Sequence, residues 1–163
     1  MQLTRFSDYA LRLLLYLGAH PGRVVSATTM SRAYGISSHH AIKVAKWLTQ
    51  RGLVHAQRGK SGGIALAVHP REIFIGPLIR ETEPTTDLLD CFDVETAPCP
   101  ITPVCLLRTA LVGARESFFR ELDDVSLADL LGNASELVQI LSPSSRADQE
   151  PRAEPTRRRK KTA

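Results

Sequence analysis

The 163-residue chain lacks any apolar run that approaches the roughly eighteen residues needed for a membrane-spanning helix. Its first residues also lack the charged and then apolar layout of a secretory signal peptide. No pairing of a nucleophile with a general base, and no pair of carboxylates, points to catalysis. These absences predict a cytoplasmic protein that has no membrane partner and is not an enzyme.

Acidic residues are nearly absent from the first seventy positions, where Asp8 stands alone against nine Lys and Arg residues. The net charge is +8 over residues 1–70, −8 over residues 71–141 and +4 over residues 142–163. This segregation indicates a polyanion-binding module joined to a part that does not bind polyanions. The alternative is that solvated faces merely differ in sign. The three ranges are also the predicted domains: a polyanion-binding module, an acidic region, and a basic tail with the composition of a disordered segment.

Cysteine is scarce and concentrated, since all three cysteines, Cys91, Cys99 and Cys105, lie within fifteen residues. An odd number cannot be used up by intramolecular disulfides. Three prolines in the same segment prevent a regular helix or strand from running through it. Projecting thiolates suit a soft metal centre, and the absence of tight C-x2-C pairs favours an iron–sulfur cluster over zinc. A redox thiol switch and three unconnected cysteines remain alternatives.

Apolar periodicity predicts three helices in the basic region, over residues 6–18, 27–34 and 38–51. The second and third flank a glycine turn, which is the layout of a helix-turn-helix. The third helix would place its N-terminal residues at base edges and its cationic face towards DNA. An ordinary solvated face is the alternative. The predicted DNA contacts of this helix are Ser38, His39, His40, Lys43 and Lys46.

Two short strands, at residues 53–56 and 64–68, flank a basic glycine-rich tip and so predict a wing. Arg58 and Lys60 would contact phosphates. The Gly-Lys-Ser sequence within the tip is not a nucleotide-binding loop, because Val54 stands where that motif requires glycine. The predicted DNA contacts of the wing are Arg58, Lys60, Ser61 and Gly62.

The acidic region predicts a short helix within residues 70–83, short closing helices near 126–131 and 137–141, and a long helix between them. The long helix would begin with Thr102 as its N-cap and Pro103 as its first residue, and end near Leu122. Its apolar stripe suits packing against its twin in a dimer, although an intramolecular core helix is the alternative. The fold class is therefore mainly α with a small β-wing: a winged helix-turn-helix plus a long dimerisation helix. The basic tail would assist DNA binding non-specifically or have no role.

Four motifs together resemble the winged-helix iron–sulfur regulators of the IscR, RirA and NsrR type. They are residues 1–12, the Tyr-Gly-Ile-Ser at 34–37, the Arg-Gly-Lys-Ser-Gly-Gly at 58–63, and the Cys-Pro-Ile-Thr-Pro-Val-Cys at 99–105. The resemblance extends over roughly residues 1–141. Within this group the chain is most similar to the nitric-oxide-sensing repressors of the NsrR type, through residues 80–84, Ile101 to Pro103, and residues 121–130.

The resemblance implies a homodimer that binds a palindromic operator in double-stranded DNA and carries an iron–sulfur cluster on Cys91, Cys99 and Cys105. Nitrosylation of the cluster would derepress target genes; the alternative is a regulator of the same fold that senses iron, cluster status or redox state. Some relatives use a histidine just after the third cysteine as the fourth ligand, but this chain has Leu106 there and lacks that ligand. The resemblance instead implies Asp8 of the partner subunit as the fourth ligand, although an acid at a helix start is also explained by the helix dipole.

The cluster implied is [4Fe-4S], with [2Fe-2S] as the alternative. Seven residues separate the first two cysteines, where five are usual in the NsrR type, and this departure bears on the type of cluster rather than on its presence.

Overall fold

The structure, a computed structural model, describes residues 2–59, 62–93 and 99–142. In these ranges the chain forms six α-helices and one antiparallel pair of strands, joined by short 3₁₀ turns. None of the helices in these ranges combines the length and apolar character needed to traverse a lipid bilayer. The elements in chain order are α1 (Arg5–Ala19), α2 (Ala27–Tyr34), α3 (Ser38–Gln50), β1 (Val54–Gln57), β2 (Gly63–Leu66), α4 (Ile75–Thr82), α5 (Leu106–Asp123) and α6 (Ala134–Leu141).

The core is built around α1, which packs against α2, α3, α4 and α6. Thr4 caps this helix by accepting a hydrogen bond from the Ser7 backbone N–H. Its apolar stripe is fully or almost fully buried, and each such leucine contributes about 1.5–3 kcal/mol of burial free energy. The stripe consists of Ala10, Leu13, Leu14 and Leu17.

The helix-turn-helix forms as the sequence predicts. Ser26 caps α2, its hydroxyl accepting from the Thr29 backbone N–H at 3.0 Å, and Gly35 ends the helix with a left-handed backbone at φ 65°. Ser37 occupies the N-cap of α3 but makes no side-chain capping bond. The inward face of α3 comprises Ala41, Val44, Ala45 and Leu48.

The wing is a two-stranded sheet whose register runs from Val54 opposite Leu66 to Gln57 opposite Gly63. Both strands lie close to the predicted positions. Val25 and Ile64 exchange two backbone hydrogen bonds of 2.9 Å, which attach β2 to the segment before α2. The winged-helix prediction is confirmed.

In the acidic region α4 and α5 form a second, smaller apolar cluster, in which Ile75 and Ile79 of α4 pack against Phe119 of α5. The predicted start of α5 is wrong. Thr102–Val104 forms its own 3₁₀ turn, Cys105 is extended (φ −78°, ψ 104°), and the helix begins at Leu106. Cys105, rather than Thr102, caps the helix, because its sulfur accepts the Arg108 backbone N–H.

The predicted closing helix at 126–131 is reduced to a 3₁₀ turn at Asp129–Leu131, whereas α6 confirms a helix near 137–141. Apart from Ser142, the predicted basic tail lies outside the described residues.

Candidate DNA-binding face and metal centre

The exposed side of α3 carries every predicted DNA contact of that helix. Ser38, His39, His40, Lys43 and Lys46 are all exposed to solvent. His39, Lys43 and Lys46 follow one another at i, i+4 and i+7, so they share one face of the helix. The face is polar and cationic, as recognition of phosphates and base edges requires.

Ser38 differs from its neighbours because its hydroxyl already has a partner in the protein. The Ser31 hydroxyl donates to the Thr28 carbonyl at 2.9 Å. The Ser38 hydroxyl lies 2.9 Å from Ser31 Oγ and must therefore be the donor of that second bond. Ser38 thus ties α3 to the almost fully buried Ser31 of α2, and its contact with DNA stays a prediction.

Ile42 belongs to the same surface and was missed by the sequence reasoning. Its side chain is 56% exposed, and it lies three residues after His39 and four before Lys46. Helical periodicity carried the signal for it, because these spacings place Ile42 on the outer face and away from the buried stripe. An apolar group among cations on a recognition helix can contact the methyl group of thymine.

The wing tip is described only in part, since Lys60 and Ser61 lie outside the described residues. Arg58 is exposed, in keeping with a phosphate contact. Gly62 donates its N–H to the Gly59 carbonyl at 2.9 Å. A Cβ at Gly62 would lie 2.7 Å from the Gln57 carbonyl oxygen and 2.8 Å from that of Gly59. Gly62 is therefore required by the tip's own geometry, and a role in DNA contact stays a prediction.

Asp8 lies on the exposed side of α1, where its carboxylate pairs with Arg12 at 2.7 Å. Both side chains are about 40% exposed, so the pair contributes little to stability. They line an open recess of about 690 Å³ between the start of α1 and the α2–α3 turn. Tyr34 also lines it; burial raises the pKa of Tyr34 to about 12 despite the nearby Arg12, so the phenol stays protonated.

All three cysteines are free thiols. Cys91 lies in the 3₁₀ turn Asp90–Phe92 and is half-buried, as is Cys105 before α5, whereas Cys99 is exposed. The Cys99 carbonyl accepts the Thr102 N–H at 3.1 Å. Residues 94–98 between the first two cysteines lie outside the described residues.

Arg108 joins the two ends of the cysteine segment. Its backbone N–H donates to Cys105 Sγ at 3.4 Å, and its Nε donates to the Cys91 carbonyl at 3.0 Å. Its guanidinium also lies 5.9 Å from the ring centre of Phe92, which Arg115 approaches to 5.2 Å. Two cations and a buried aromatic ring thus hold Cys91 against α5.

The cysteine segment fits a thiolate-ligated metal group. It offers three free thiols, with Cys105 at the N-terminus of an 18-residue helix, where the helix dipole favours negative charge. Within the described residues, no three His, Cys, Asp or Glu side chains lie close enough to hold a metal ion. The structure therefore brings neither the three cysteines together nor Asp8 to them within a single chain. The cysteine ligand set and Asp8 of the partner subunit as a fourth ligand both stay predictions.

The profile of one protein family, described as iron-dependent transcriptional regulators, matches residues 3–133. The chain belongs to the Rrf2 family. As an Rrf2 protein it is a DNA-binding transcriptional regulator and not an enzyme, which confirms both predictions.

Two similar Rrf2 relatives are HTH-type transcriptional regulators named NsrR. The one from Geobacillus kaustophilus is 44% identical over 142 residues, which is 86% of this chain and 97% of the relative. The one from Halalkalibacterium halodurans is 42% identical over the same shares. The predicted resemblance to the IscR, RirA and NsrR type is confirmed.

Solved structures agree with this assignment. IscR from T. potens superposes with a TM-score of 0.65 at 26% identity, covering 83% of this chain and 90% of that one. CymR, the global cysteine regulator of B. subtilis, superposes with a TM-score of 0.64 at 23% identity, covering 83% and 98%, and supports the fold alone.

Proposed function

We propose that this Rrf2 regulator is a cytoplasmic repressor that carries an iron–sulfur cluster, and that nitrosylation of the cluster derepresses its target genes. The observation that carries the proposal is the 44% identity to an NsrR regulator over 142 residues. The three free cysteines on a segment joined to α5 support it. Residues 1–70 would form the DNA-binding module and residues 71–141 the cluster and dimerisation region.

Cys91, Cys99 and Cys105 would hold the cluster, preferably [4Fe-4S], with [2Fe-2S] as the alternative. When bound, it supplies iron that reacts with nitric oxide. The chain's own contribution is the anchoring of Cys91 and Cys105 by Arg108. Asp8 of the partner subunit would complete the ligand set, and a carboxylate is a harder ligand than the thiolates around it.

Asp8 is well placed to couple the cluster to DNA binding, because the residues of α1 before and after Asp8 contact α3. The ring of Tyr9, the next residue, lies 6.0 Å from that of His40. Phe6 meets Trp47 edge-on at 5.7 Å. If Asp8 held the cluster, Arg12, four residues along α1, would be its alternative partner. A shift of α1 on release would therefore move α3.

The exposed face of α3 would enter the major groove, with His39, His40 and Ile42 at base edges and Lys43 and Lys46 at phosphates. Arg58 in the wing would grip the backbone beside it, and Lys60, Ser61 and Gly62 complete the proposed wing contacts. A two-fold dimer would place its two α3 helices in successive major grooves of a palindromic operator, about 34–36 Å apart.

Dimerisation through α5 is supported by how little of that helix the chain itself covers. Phe119 is its only fully buried residue, whereas Leu106 is 84% exposed and Leu107 63% exposed. Exposed apolar clusters of this kind mark protein interaction sites. A second copy of the chain is the partner we propose.

The proposal is tested on anaerobically purified protein by absorption spectroscopy with iron and sulfide assays, followed by titration with nitric oxide. Duplexes that the protein selects from a random library serve as the DNA. We expect a coloured, iron- and sulfide-containing dimer that releases DNA as nitric oxide bleaches it. Protein that stays free of iron and sulfide after reconstitution would overturn the cluster proposal and favour a thiol switch.

Substitution of Asp8 separates ligation from the surface ion pair. Asp8→Asn removes both the proposed ligand and the ion pair, whereas Arg12→Gln removes the ion pair alone. We expect Asp8→Asn to change the absorption spectrum and to speed cluster loss by about tenfold or more, with Arg12→Gln close to wild type. Equal behaviour of the two variants would contradict the ligand assignment.

Sensing of iron supply is a second candidate, favoured by the description of the family as iron-dependent. It predicts that iron depletion releases DNA, while nitric oxide at a few equivalents leaves the complex bound. The same DNA-binding assay with a chelator in place of nitric oxide distinguishes the two.

A further inference from the structure

Glu83, just past the end of α4, caps the first turn of α1. Its Oε1 accepts the Thr4 backbone N–H at 2.8 Å and the Thr4 hydroxyl at 3.2 Å. It also accepts the hydroxyl of Ser7, which is completely buried. The first N–H groups of a helix lack intrahelical partners, and the positive end of its dipole attracts a carboxylate. A residue 79 positions away in the sequence therefore holds the start of α1.

Glu83 lies between α4 and the segment that leads to the first cysteine. Glu83 is the C-cap of α4, and residues 84–90 lead from it directly to Cys91. At the other side of the contact, Ser7 immediately precedes Asp8 on α1. Glu83 thus links a chain's own cysteine segment to the helix that carries its Asp8.

We propose that Glu83 is a positioning residue through which the two clusters of the dimer are coupled. This inference rests on the proposed function, in which the Asp8 of each chain ligates the other chain's cluster. Order in one cysteine segment is transmitted through Glu83 to α1 of the same chain and, through Asp8, to the opposite cluster. The two-fold symmetry of a dimer repeats the link in the other direction. Loss of one cluster therefore promotes loss of the second.

A cap that only stabilises the fold would behave differently from a coupling residue. It would alter the unfolding midpoint and leave the two clusters independent of each other. Glu83→Ala removes the acceptor, and Glu83→Gln retains an oxygen at the same place. The matched control is Glu81→Ala, on the same helix, where the carboxylate pairs with Arg51 and both side chains are nearly half exposed.

Hydrogen exchange on the cluster-free protein tests the contact itself. We expect Glu83→Ala to speed exchange of the amides of residues 4–8 by about tenfold or more, with Glu81→Ala and Glu83→Gln close to wild type. Unchanged exchange in Glu83→Ala would overturn the positioning role.

Native mass spectrometry during partial iron removal tests the coupling. Independent sites would leave half of the dimers with one cluster when half of all clusters are lost. For the wild type and Glu81→Ala we expect fewer one-cluster dimers than independent sites would give. The equilibrium constant for forming them from dimers with no cluster and dimers with two should be about fivefold lower. Glu83→Ala should return to the statistical distribution, and Glu83→Gln should retain most of the depletion.

The outcomes separate this inference from the function on which it rests. A statistical distribution of clusters in the wild type would overturn the coupling, and so would depletion of one-cluster dimers that persists in Glu83→Ala. In either case, the release of DNA by nitric oxide remains a separate test of the proposed function. Protein that cannot be loaded with a cluster overturns both.

Discussion

At the scale of single residues, α3 separates side chains that hold the fold from those that face solvent. Ala41 and Leu48 are completely buried, and Ser38 binds Ser31, whereas Ile42 is more than half exposed. The sequence identified the polar members of the outer face correctly as exposed. It omitted Ile42, because hydrophobicity alone does not reveal which apolar side chain has no neighbour to pack against.

Replacing Ile42 should change which DNA sequences are bound rather than whether the protein folds. We expect Ile42→Ala to lose about 1 kcal/mol of discrimination for thymine at one position of each half-site, with an unchanged unfolding midpoint. Selection from a random duplex library followed by sequencing measures this. Lys46→Gln is the comparison. It should weaken binding to all sequences alike, and the slope of log affinity against log salt concentration should become shallower by about one. An unchanged selected sequence for Ile42→Ala would contradict the assignment.

At the scale of elements, the contact between α4 and α5 joins the helix that follows the wing to the long helix. Arg80 forms a two-pronged hydrogen-bonded pair with Asp123 and lies 4.2 Å from the ring centre of Phe119. Gly76 faces the same Asp123, and a Cβ there would lie 2.9 Å from its backbone nitrogen. The close approach of the two helices therefore depends on glycine at this position.

Two helical glycines give a matched test of that packing. Gly76→Ala should destabilise the protein by about 1–3 kcal/mol because Asp123 must move. Gly113→Ala should instead be neutral or stabilise by up to about 1 kcal/mol, since nothing lies within 4 Å of its Cβ position and alanine favours helix. Chemical denaturation of both variants measures the difference. Equal effects of the two substitutions on the free energy of unfolding would show that the close approach of Asp123 does not require glycine at position 76.

The Arg80–Asp123 pair also predicts a pH dependence. The hydrogen bond from Arg80 holds the pKa of the Asp123 carboxyl below its ordinary value of 3.8. Because the folded pKa is the lower one, this contribution to stability is complete above about pH 4 and is lost as the pH falls through the folded value. Asp123→Asn should therefore lose less stability than wild type as the pH falls below about 4, measured by urea denaturation at a series of pH values. Arg80→Gln should show the same weaker dependence of the free energy of unfolding on pH. If both variants lost stability at low pH as steeply as wild type, the Arg80–Asp123 pair would not be its cause.

At the scale of the whole molecule, the basic winged module and the acidic region are joined around α1, and the first half of α5 is left uncovered. Val104 and Leu106 are 78% and 84% exposed, which is unusual for apolar side chains beside a half-buried cysteine. The sequence predicted a long helix with an apolar stripe, and the structure shows that the chain's own fold leaves the start of that stripe, at Leu106 and Leu107, uncovered while Phe118 and Leu122 pack inward. The identity of what covers it stays a proposal.

A charge on the uncovered part of α5 should weaken a dimer. We expect Leu107→Glu to raise the dimer dissociation constant by about tenfold or more, equivalent to about 1.4 kcal/mol, because a buried carboxylate would lack a partner. Ser117→Glu, which places the same charge at an exposed polar site on the same helix, should have little effect. Sedimentation equilibrium of the cluster-free protein measures both, and an unaffected dimer in Leu107→Glu would place the interface elsewhere.

The sequence by itself determined what depends on neighbouring residues. The stripes of α1 and α3, the Ser26 cap, the Gly35 helix end and the strand pair of the wing are all local in origin, since periodicity and capping act within a few residues. The spacing of the three cysteines and the segregation of charge are likewise visible in the sequence. Their resemblance to a known family was sufficient to predict the class of regulator.

Only the tertiary structure decided the contacts between residues far apart in the chain. The bonds of Glu83 to Thr4 and Ser7, of Arg108 to Cys91 and of Arg80 to Asp123 span 79, 76, 17 and 43 positions. No local pattern encodes them, because each depends on how separate helices pack. The start of α5 shows the same limit, since Thr102 and Pro103 form a good helix start in isolation, yet the extended Cys105 and its bond to Arg108 move the helix to Leu106.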